Sequence, residues 1–409
     1  MNPRRRAIFV RPSLSVSGAD RWAVDAAIAL QARGWHVEIA VNFHNPAWTL
    51  PEAARGQVTV TVFGGIPLWC TGNRLRAVLS LVNQWILLRR IRRRGSVPDL
   101  FVGDIVPQAL TAIRRNFPTS AVLYYCHFPD RLGVTAHGLY GLYREAIGRR
   151  EDRAMRAAHR IVANSHYTAE AVRRTFPFLT ADRLAIVQPG VRLPRAKAGE
   201  EESRPEAAAD AKRMLLSVAR FDPRKGLDLA VEAFAGLRAR VGAAEFARWR
   251  LVLAGGFDRR LPEVRALVER LRSQASALGI DAQVDLRFDP SDGALEALWR
   301  EAFALVHPAP AEHFGIVLIE AMARGLPVLA VDHGGPREIV ADGITGALRP
   351  ARAAEFADVL AAWARAPAHA AALGAAGRAR AAAEFGMDRF SAEFAAQAEL
   401  ALARSAQPP

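Results

Sequence analysis

Short apolar runs alternate with longer amphipathic stretches along nearly the whole chain, the pattern of parallel strands joined by crossover helices. In the first half, residues 7–10 read as a buried strand and Ser15–Asp20 as a loop. A helix then runs over Arg21–Arg33, with Trp22, Ala26, Ile28, Ala29 and Leu30 as its apolar positions, and Val37–Val41 is the next strand. Gly34 stands where a helix C-cap belongs. Asp99–Val102 and Ala121–Tyr125 are further short strands, the second running into Cys126-His127-Phe128-Pro129-Asp130. A charged helix over Arg149–Ala158, a strand at Ile161–Ala163 and a helix over Tyr167–Thr175, capped by Asn164-Ser165, follow.

The pattern lapses between Arg195 and Arg213, a Lys/Glu/Ala/Pro/Ser-rich stretch with no apolar stripe. It then starts over. Strands are predicted at Met214–Val218, Arg250–Ala254, Gln283–Phe288, Ala304–His307 and Val328–Val331, between helices at Leu227–Leu237, Leu261–Leu278, Ala294–Glu301 and one beginning near Gly315. The fold class is therefore α/β, with two doubly wound, Rossmann-like parallel-sheet domains at 1–195 and 213–385 and a linker at 196–212. A C-terminal helix at 386–409 is long enough to pack back on the first domain. The length of 409 residues suits two cores rather than one.

Charge separates the halves. Residues 1–200 carry 29 Lys+Arg against 13 Asp+Glu, and residues 201–409 carry 26 against 28. A basic first half fits an anionic membrane surface or an anionic acceptor. Aromatics are not interleaved with the basic clusters, so nucleic acid is not expected as a partner. Residues 74–94 combine Leu75, Val78, Leu79, Leu81, Val82, Trp85 and Leu88 with five arginines at Arg89, Arg90 and Arg92–Arg94. Such a helix can lie in a lipid headgroup layer or pack on the sheet with its arginines solvated. Cys70 and Cys126 form no metal-ligand spacing, and no apolar run reaches the length of a signal peptide or a spanning helix. A cytoplasmic protein, peripheral on the inner face of the cytoplasmic membrane, is expected.

The most informative stretch is Glu312-His313-Phe314-Gly315-Ile316-Val317-Leu318-Ile319-Glu320, followed by the Gly334-Gly335-Pro336 turn. A helix starting near Gly315 puts Glu320 inside its second turn and leaves Glu312 on the loop at its mouth. Open amides at such a helix start, with the macrodipole behind them, suit a phosphate group. Arg220 and Lys225 precede another helix start and add two cations for a pyrophosphate. His127 ends a strand, where doubly wound folds place reactive groups. The chain has no G-x-G-x-x-G dinucleotide fingerprint and no Asp-x-Asp, so neither an NAD enzyme nor a metal cofactor is expected.

Six strings carry a resemblance: S-G-A-D-R-W-A-V-D-A-A from Ser17, Y-Y-C-H-F-P-D from Tyr124, A-N-S-H-Y-T-A from Ala163, L-S-V-A-R-F from Leu216, L-A-G-G-F-D from Leu253 and E-H-F-G-I-V-L-I-E-A-M from Glu312. With them the chain resembles the retaining GT-B glycosyltransferases of family 4 over nearly its whole length. Within that family it looks most like the mannosyltransferases of lipid-linked oligosaccharide assembly. The resemblance implies two domains facing a cleft and transfer of a sugar, α-mannose from GDP-mannose, to a polyprenyl-pyrophosphate-linked saccharide. It implies catalytic roles for His127, Glu312, Arg220 and Lys225, and a donor site of Gly255, Phe288, His313, Phe314, Gly315, Ile316, Val317 and Glu320. Ser17, Gly18 and Asp20 fall in the acceptor-side loop, where Ser-Gly-Ala-Asp replaces the family's usual Gly-Gly-Ala-Glu. A UDP-sugar donor with a soluble or cell-surface polysaccharide acceptor is the alternative; an epimerase and a silent nucleotide-binding scaffold are the remaining rivals.

Overall fold

The alternating pattern resolves into two all-parallel sheets with apolar layers on both faces. The computed structural model describes residues 5–46, 49–66, 76–132, 138–192 and 212–407. The chain divides into two compact units, Met1–Gly190 with Met387–Pro409, and Val191–Gly386. Of the stretch 196–212 only Lys212 is among the described residues; Cys70, Arg74 and Leu75 also lie outside them.

The first unit runs β1 (Arg6–Leu14), α1 (Gly18–Gln31), β2 (His36–His44), α2 (Pro51–Ala54), β3 (Thr59–Val62), α3 (Arg76–Arg93) and β4 (Leu100–Gly103). It continues with α4 (Ala109–Asn116), β5 (Ala121–Cys126), α5 (Gly138–Ala157), β6 (Arg160–Ala163), α6 (His166–Thr175) and β7 (Leu184–Ile186). Its strand order is β3-β2-β1-β4-β5-β6-β7. The winding reverses between β1 and β4, so the loops that leave these strands diverge and open a crevice at their carboxyl ends. The period of two is visible in the core. Phe9, Leu123 and Tyr125 enter one layer with Trp22, whereas Ile8, Val10, Val122 and Tyr124 enter the other with Leu87, Leu88 and Ile91. Trp22 stacks on Tyr125 at 3.8 Å.

Several boundaries differ from the sequence pattern. Strand β1 runs four residues past Val10, through Arg11 and Ser13, because the charge of Arg11 is matched inside the fold. Helix α1 opens at Gly18, since Ser17 is its N-cap and accepts from the Asp20 amide at 3.2 Å. Gly18 and Asp20 therefore belong to the first helical turn and not to a loop. Helix α5 begins eleven residues before the predicted charged helix. Elements β3, α4 and β7 arise where none was expected.

The described part of the 74–94 segment is α3, a packed crossover helix. Leu87, Leu88 and Ile91 are buried, Asn83 and Gln84 are buried polar residues, and Trp85 is 52% exposed on the opposite side. The Arg89 guanidinium lies over the Trp85 ring at 5.1 Å, and Arg94 pairs with Glu38 at 2.8 Å while covering Phe63. Among the described residues, no helix is long and apolar enough to cross a membrane.

The second unit runs β8 (Arg213–Val218), α7 (Leu227–Val241), α8 (Ala243–Phe246), β9 (Trp249–Gly255), α9 (Pro262–Ala277), β10 (Val284–Phe288) and α10 (Asp292–Glu301). Then come β11 (Ala302–His307), α11 (Ile316–Ala323), β12 (Val328–Val331), α12 (Pro336–Ile339), β13 (Gly346–Arg349), α13 (Ala353–Arg365) and α14 (Pro367–Glu384). The order β10-β9-β8-β11-β12-β13 reverses between β8 and β11. The loops after these two strands are thus the ones that flank the crevice. Gly374 lets α14 approach the turn after α11, for a Cβ there would stand 2.1 Å from the Gly325 carbonyl oxygen.

The final helix, α15 (Met387–Ser405), belongs to the first unit. Its Phe394 is fully buried, edge-on to Trp22 at 5.7 Å and 6.4 Å from Phe9. Replacing Phe394 by Ala should lower the unfolding free energy of this unit by about 3–5 kcal/mol, the usual cost of an emptied aromatic site. Urea titration followed by near-UV circular dichroism measures it, and a loss under about 1 kcal/mol would contradict the core role assigned to α15.

Candidate active site

In the second unit the loop after β8 turns back under the loop after β11. Asp222 caps the short 3-10 turn Pro223–Lys225 and is held by Arg224, whose side chain reaches its two oxygens at 3.0 and 2.6 Å. Burial works against this carboxylate, but the Arg224 hydrogen bonds and charge win and bring its pKa to about 2. Gly226 then adopts φ +63°, and a Cβ would meet the Pro308 carbonyl oxygen at 2.6 Å. This close approach delivers the neighbouring Lys225 to the β11 loop.

Lys225 Nζ donates to Glu312 Oε2 at 2.7 Å. His307, the last residue of β11 and only 2% exposed, brings Nε2 to 3.3 Å from the same oxygen, without the alignment of a good hydrogen bond. The other carboxylate oxygen accepts from the His313 amide at 3.2 Å. Burial alone would raise the Glu312 pKa; the His307 ring and the Lys225 charge outweigh it and hold the group well below the usual carboxylate range. Glu312 is thus an anion at neutral pH, masked by two basic side chains.

The floor of this loop is the glycine turn. The Gly335 amide donates to the Glu312 carbonyl at 2.9 Å, and a Cβ on Gly335 would lie 2.3 Å from the Phe314 Cα. Phe314 itself is buried. Gly315 caps α11 at φ +100° and offers no side-chain acceptor, while the Leu318 amide turns back to the Gly315 carbonyl at 2.9 Å. The first-turn amides of Ile316 and Val317 are consequently uncapped by a side chain, at the positive end of the helix. Glu320 lies in the second turn, half-buried.

The structure therefore groups Lys225, Glu312 and the Phe314–Val317 helix start. Arg220 leaves the end of β8 with its side chain 59% exposed, 3.9 Å from Asp222 and packed over Gly256. Gly255 and Phe288 end β9 and β10. Gly255 must be glycine, because a Cβ would fall 2.0 Å from the Ala219 carbonyl oxygen. The Phe288 ring packs with Phe221 at 4.8 Å and Phe257 at 4.5 Å. Sequence reasoning passed over His307, which reads simply as the polar end of an apolar strand.

In the first unit His127 follows β5, and its Nε2 lies 3.2 Å from Asp104 Oδ2 at the end of β4. Asp104 and Asp20 both pair with Arg11, at 2.7 and 2.9 Å, and all three are buried. The hydroxyls of Ser15 and Ser17 donate to the second Asp20 oxygen at 2.9 and 2.5 Å. Asp20 is thus committed to holding the start of α1. Neither Arg11 nor Asp104 stood out in the sequence. Among the described residues, no group of three or more His, Cys, Asp or Glu is placed to hold a metal ion.

The charge state of Glu312 has a pH consequence. Its folded-state pKa is depressed, so its stabilising effect is complete above the ordinary carboxylate range and is lost as pH falls through it. Unfolding free energy of the wild type should drop between about pH 5 and 3 more steeply than that of Glu312→Gln. Parallel curves in urea titrations across that interval would contradict the pairing.

The model for glycosyltransferase family 4 matches residues 16–195, and the model for glycosyl transferases group 1 matches residues 199–380. The alpha-1,3/1,6-mannosyltransferase alg-2 of Neurospora crassa is 32% identical over 391 residues, spanning 87% of this chain and 82% of that protein. The human alpha-1,3/1,6-mannosyltransferase ALG2 is 29% identical over 402 residues, with 95% and 94% covered. Among solved structures, Anabaena Alr3699/HepE in complex with UDP and glucose superposes with a TM-score of 0.75 at 19% identity, over 97% of this chain and 100% of that one, which is a likeness of fold. The chain belongs to the GT-B glycosyltransferases of family 4, the family that includes these alpha-1,3/1,6-mannosyltransferases.

Proposed function

We propose that this glycosyltransferase moves α-mannose, with retention, from GDP-mannose to a polyprenyl-pyrophosphate-linked saccharide at the inner face of the cytoplasmic membrane. The observation that carries the reading is the Lys225–Glu312 pair, 2.7 Å apart, beside a helix start whose first amides have no side-chain cap. A cation from the loop after β8, with open amides and a largely buried carboxylate from the loop after β11, suits the two ends of a sugar diphosphate. The alpha-1,3/1,6-mannosyltransferases at about 30% identity support mannose as the sugar, and the lipid-linked acceptor follows from the resemblance carried by the six strings.

In this mechanism the bond between the anomeric carbon and the diphosphate oxygen breaks, and its electron pair leaves on the diphosphate. Lys225, Arg220 and the amides of Ile316 and Val317 stabilise that growing negative charge. The incoming phosphate competes with Glu312 for Lys225, which frees Glu312 to face the sugar as it gains positive charge. The acceptor hydroxyl oxygen bonds to the anomeric carbon from the face the phosphate leaves, and its proton passes to the departing phosphate oxygen. His127 contacts the reacting sugar, and Glu320 holds the donor ribose. No chemical step is assigned to a metal ion.

The outer face of α3 supports peripheral membrane contact. Val78 near its start and Trp85 at its middle are exposed, and Arg89 and Arg93 follow on the solvent side. Apolar residues would enter the headgroup layer while the arginines meet anionic lipid.

Purified enzyme with GDP-mannose and a lipid-linked saccharide should yield a mannosylated product. Lys225→Ala should turn over at least about a hundredfold more slowly, the scale of losing one charge-stabilising group. Near-wild-type turnover would sink the assignment of Lys225. Sedimentation with anionic vesicles should fall with added salt and on replacing Arg89 and Arg93 by Ala; a chain that stays in the supernatant at low salt has no such membrane face.

A further inference from the structure

We propose that Arg11 and Asp104 are positioning residues for His127: together they fix the Nε2–H tautomer and the ring plane, so that Nδ1 is the ring nitrogen presented to a ligand. The inference rests on His127 being a group that meets the reacting sugar, and it adds the machinery that holds it there.

Arg11 sits within β1 with 1% of its side chain exposed. An arginine cannot shed its charge, so a position this dry requires matched carboxylates. Its Nη1 donates to Asp104 Oδ2 at 2.7 Å and to the Ala19 carbonyl at 2.9 Å, and its Nη2 donates to Asp20 Oδ1 at 2.9 Å. Asp104, 3% exposed, is therefore a carboxylate pinned from behind. A carboxylate only accepts, so His127 Nε2, at 3.2 Å from the same Oδ2, carries the hydrogen.

The rest of the ring's surroundings agree. Trp22 and Tyr125 meet it edgewise, with centroids at 5.7 and 5.1 Å. The His127 carbonyl accepts from Asn164 Nδ2 at 3.2 Å and Thr168 Oγ1 at 3.3 Å, anchoring the backbone beneath it. A half-turn of the ring about its axis would put a carbon where Nε2 meets Asp104 and forfeit that bond. The side chain remains 30% exposed, so the ring retains an open side. Through Asp20 the same guanidinium also holds Ser15 and Ser17, so one buried charge sets both the start of α1 and the imidazole.

Two measurements on the full chain test this. Long-range ¹H–¹⁵N spectra of histidine-labelled protein, with His127 assigned by its loss in His127→Gln, should show the Nε2–H tautomer; an Nδ1–H tautomer overturns the proposal. Asp104→Asn keeps the shape but removes the charge, and should lower kcat for mannosyl transfer about 10–100-fold while KM for GDP-mannose stays within about twofold and the thermal melt shows a folded protein. Wild-type kcat in a folded Asp104→Asn overturns the positioning role. If that variant does not fold, the tautomer of the wild-type ring decides. A wild type that transfers no mannose counts against the donor assignment, and the spectrum again decides this proposal by itself.

Discussion

A parallel sheet covered on both faces keeps polar chemistry at or beyond its strand ends, and the functional groups of this chain obey that constraint except Arg11, which lies within β1 and is matched there by two aspartates. Strands β5 and β12 are buried at every position, so side chains along them can only be apolar or fully matched. Where the winding reverses, between β1 and β4 and between β8 and β11, the departing loops leave unfilled space. Asp104 and the start of α1 occupy such ends in one unit, with His127 at the end of the adjacent β5; Lys225, His307 and Glu312 occupy them in the other. The chemistry follows from the winding, and the winding from the apolar runs.

Within that frame the two units handle buried charge differently. In the first, Arg11 is matched by two aspartates and sealed, an arrangement that costs desolvation and returns geometric precision. In the second, the Lys225–Glu312 pair keeps a quarter of the lysine exposed. A sealed pair fixes neighbours in place; a half-open pair can exchange one partner for an arriving anion. Scaffold and ligand site thus use the same residue types at different degrees of burial.

The sequence made the fold class plain because strand and helix periods alternate with little ambiguity in most segments. What escaped were short edge strands: β3, β7 and β13 each lie at the margin of a sheet and span four residues or fewer. Half-exposed edges carry weak alternation, and β3 has no buried residue at all. In the site, Gly315 and the two flanking glutamates were legible, since their roles depend on residue type within a few positions of one another. Arg11 was not. Its partners lie 9 and 93 residues away, and a charge after four apolar residues looks like the end of a strand. His307 was hidden for the opposite reason, continuing an apolar run whose last member happens to be basic.

The return of α15 to the first unit bears on the order in which the protein is made. Phe390, Phe394 and Ala398 fill a layer against Phe9 and Trp22, residues synthesised nearly four hundred positions earlier. The unit that leaves the ribosome first is therefore completed last, whereas Val191–Gly386 has all its strands in hand before α15 exists. Until then the layer around Trp22 lacks the cover that Phe390, Phe394 and Ala398 supply. The second unit, built from one uninterrupted segment, has no such waiting period.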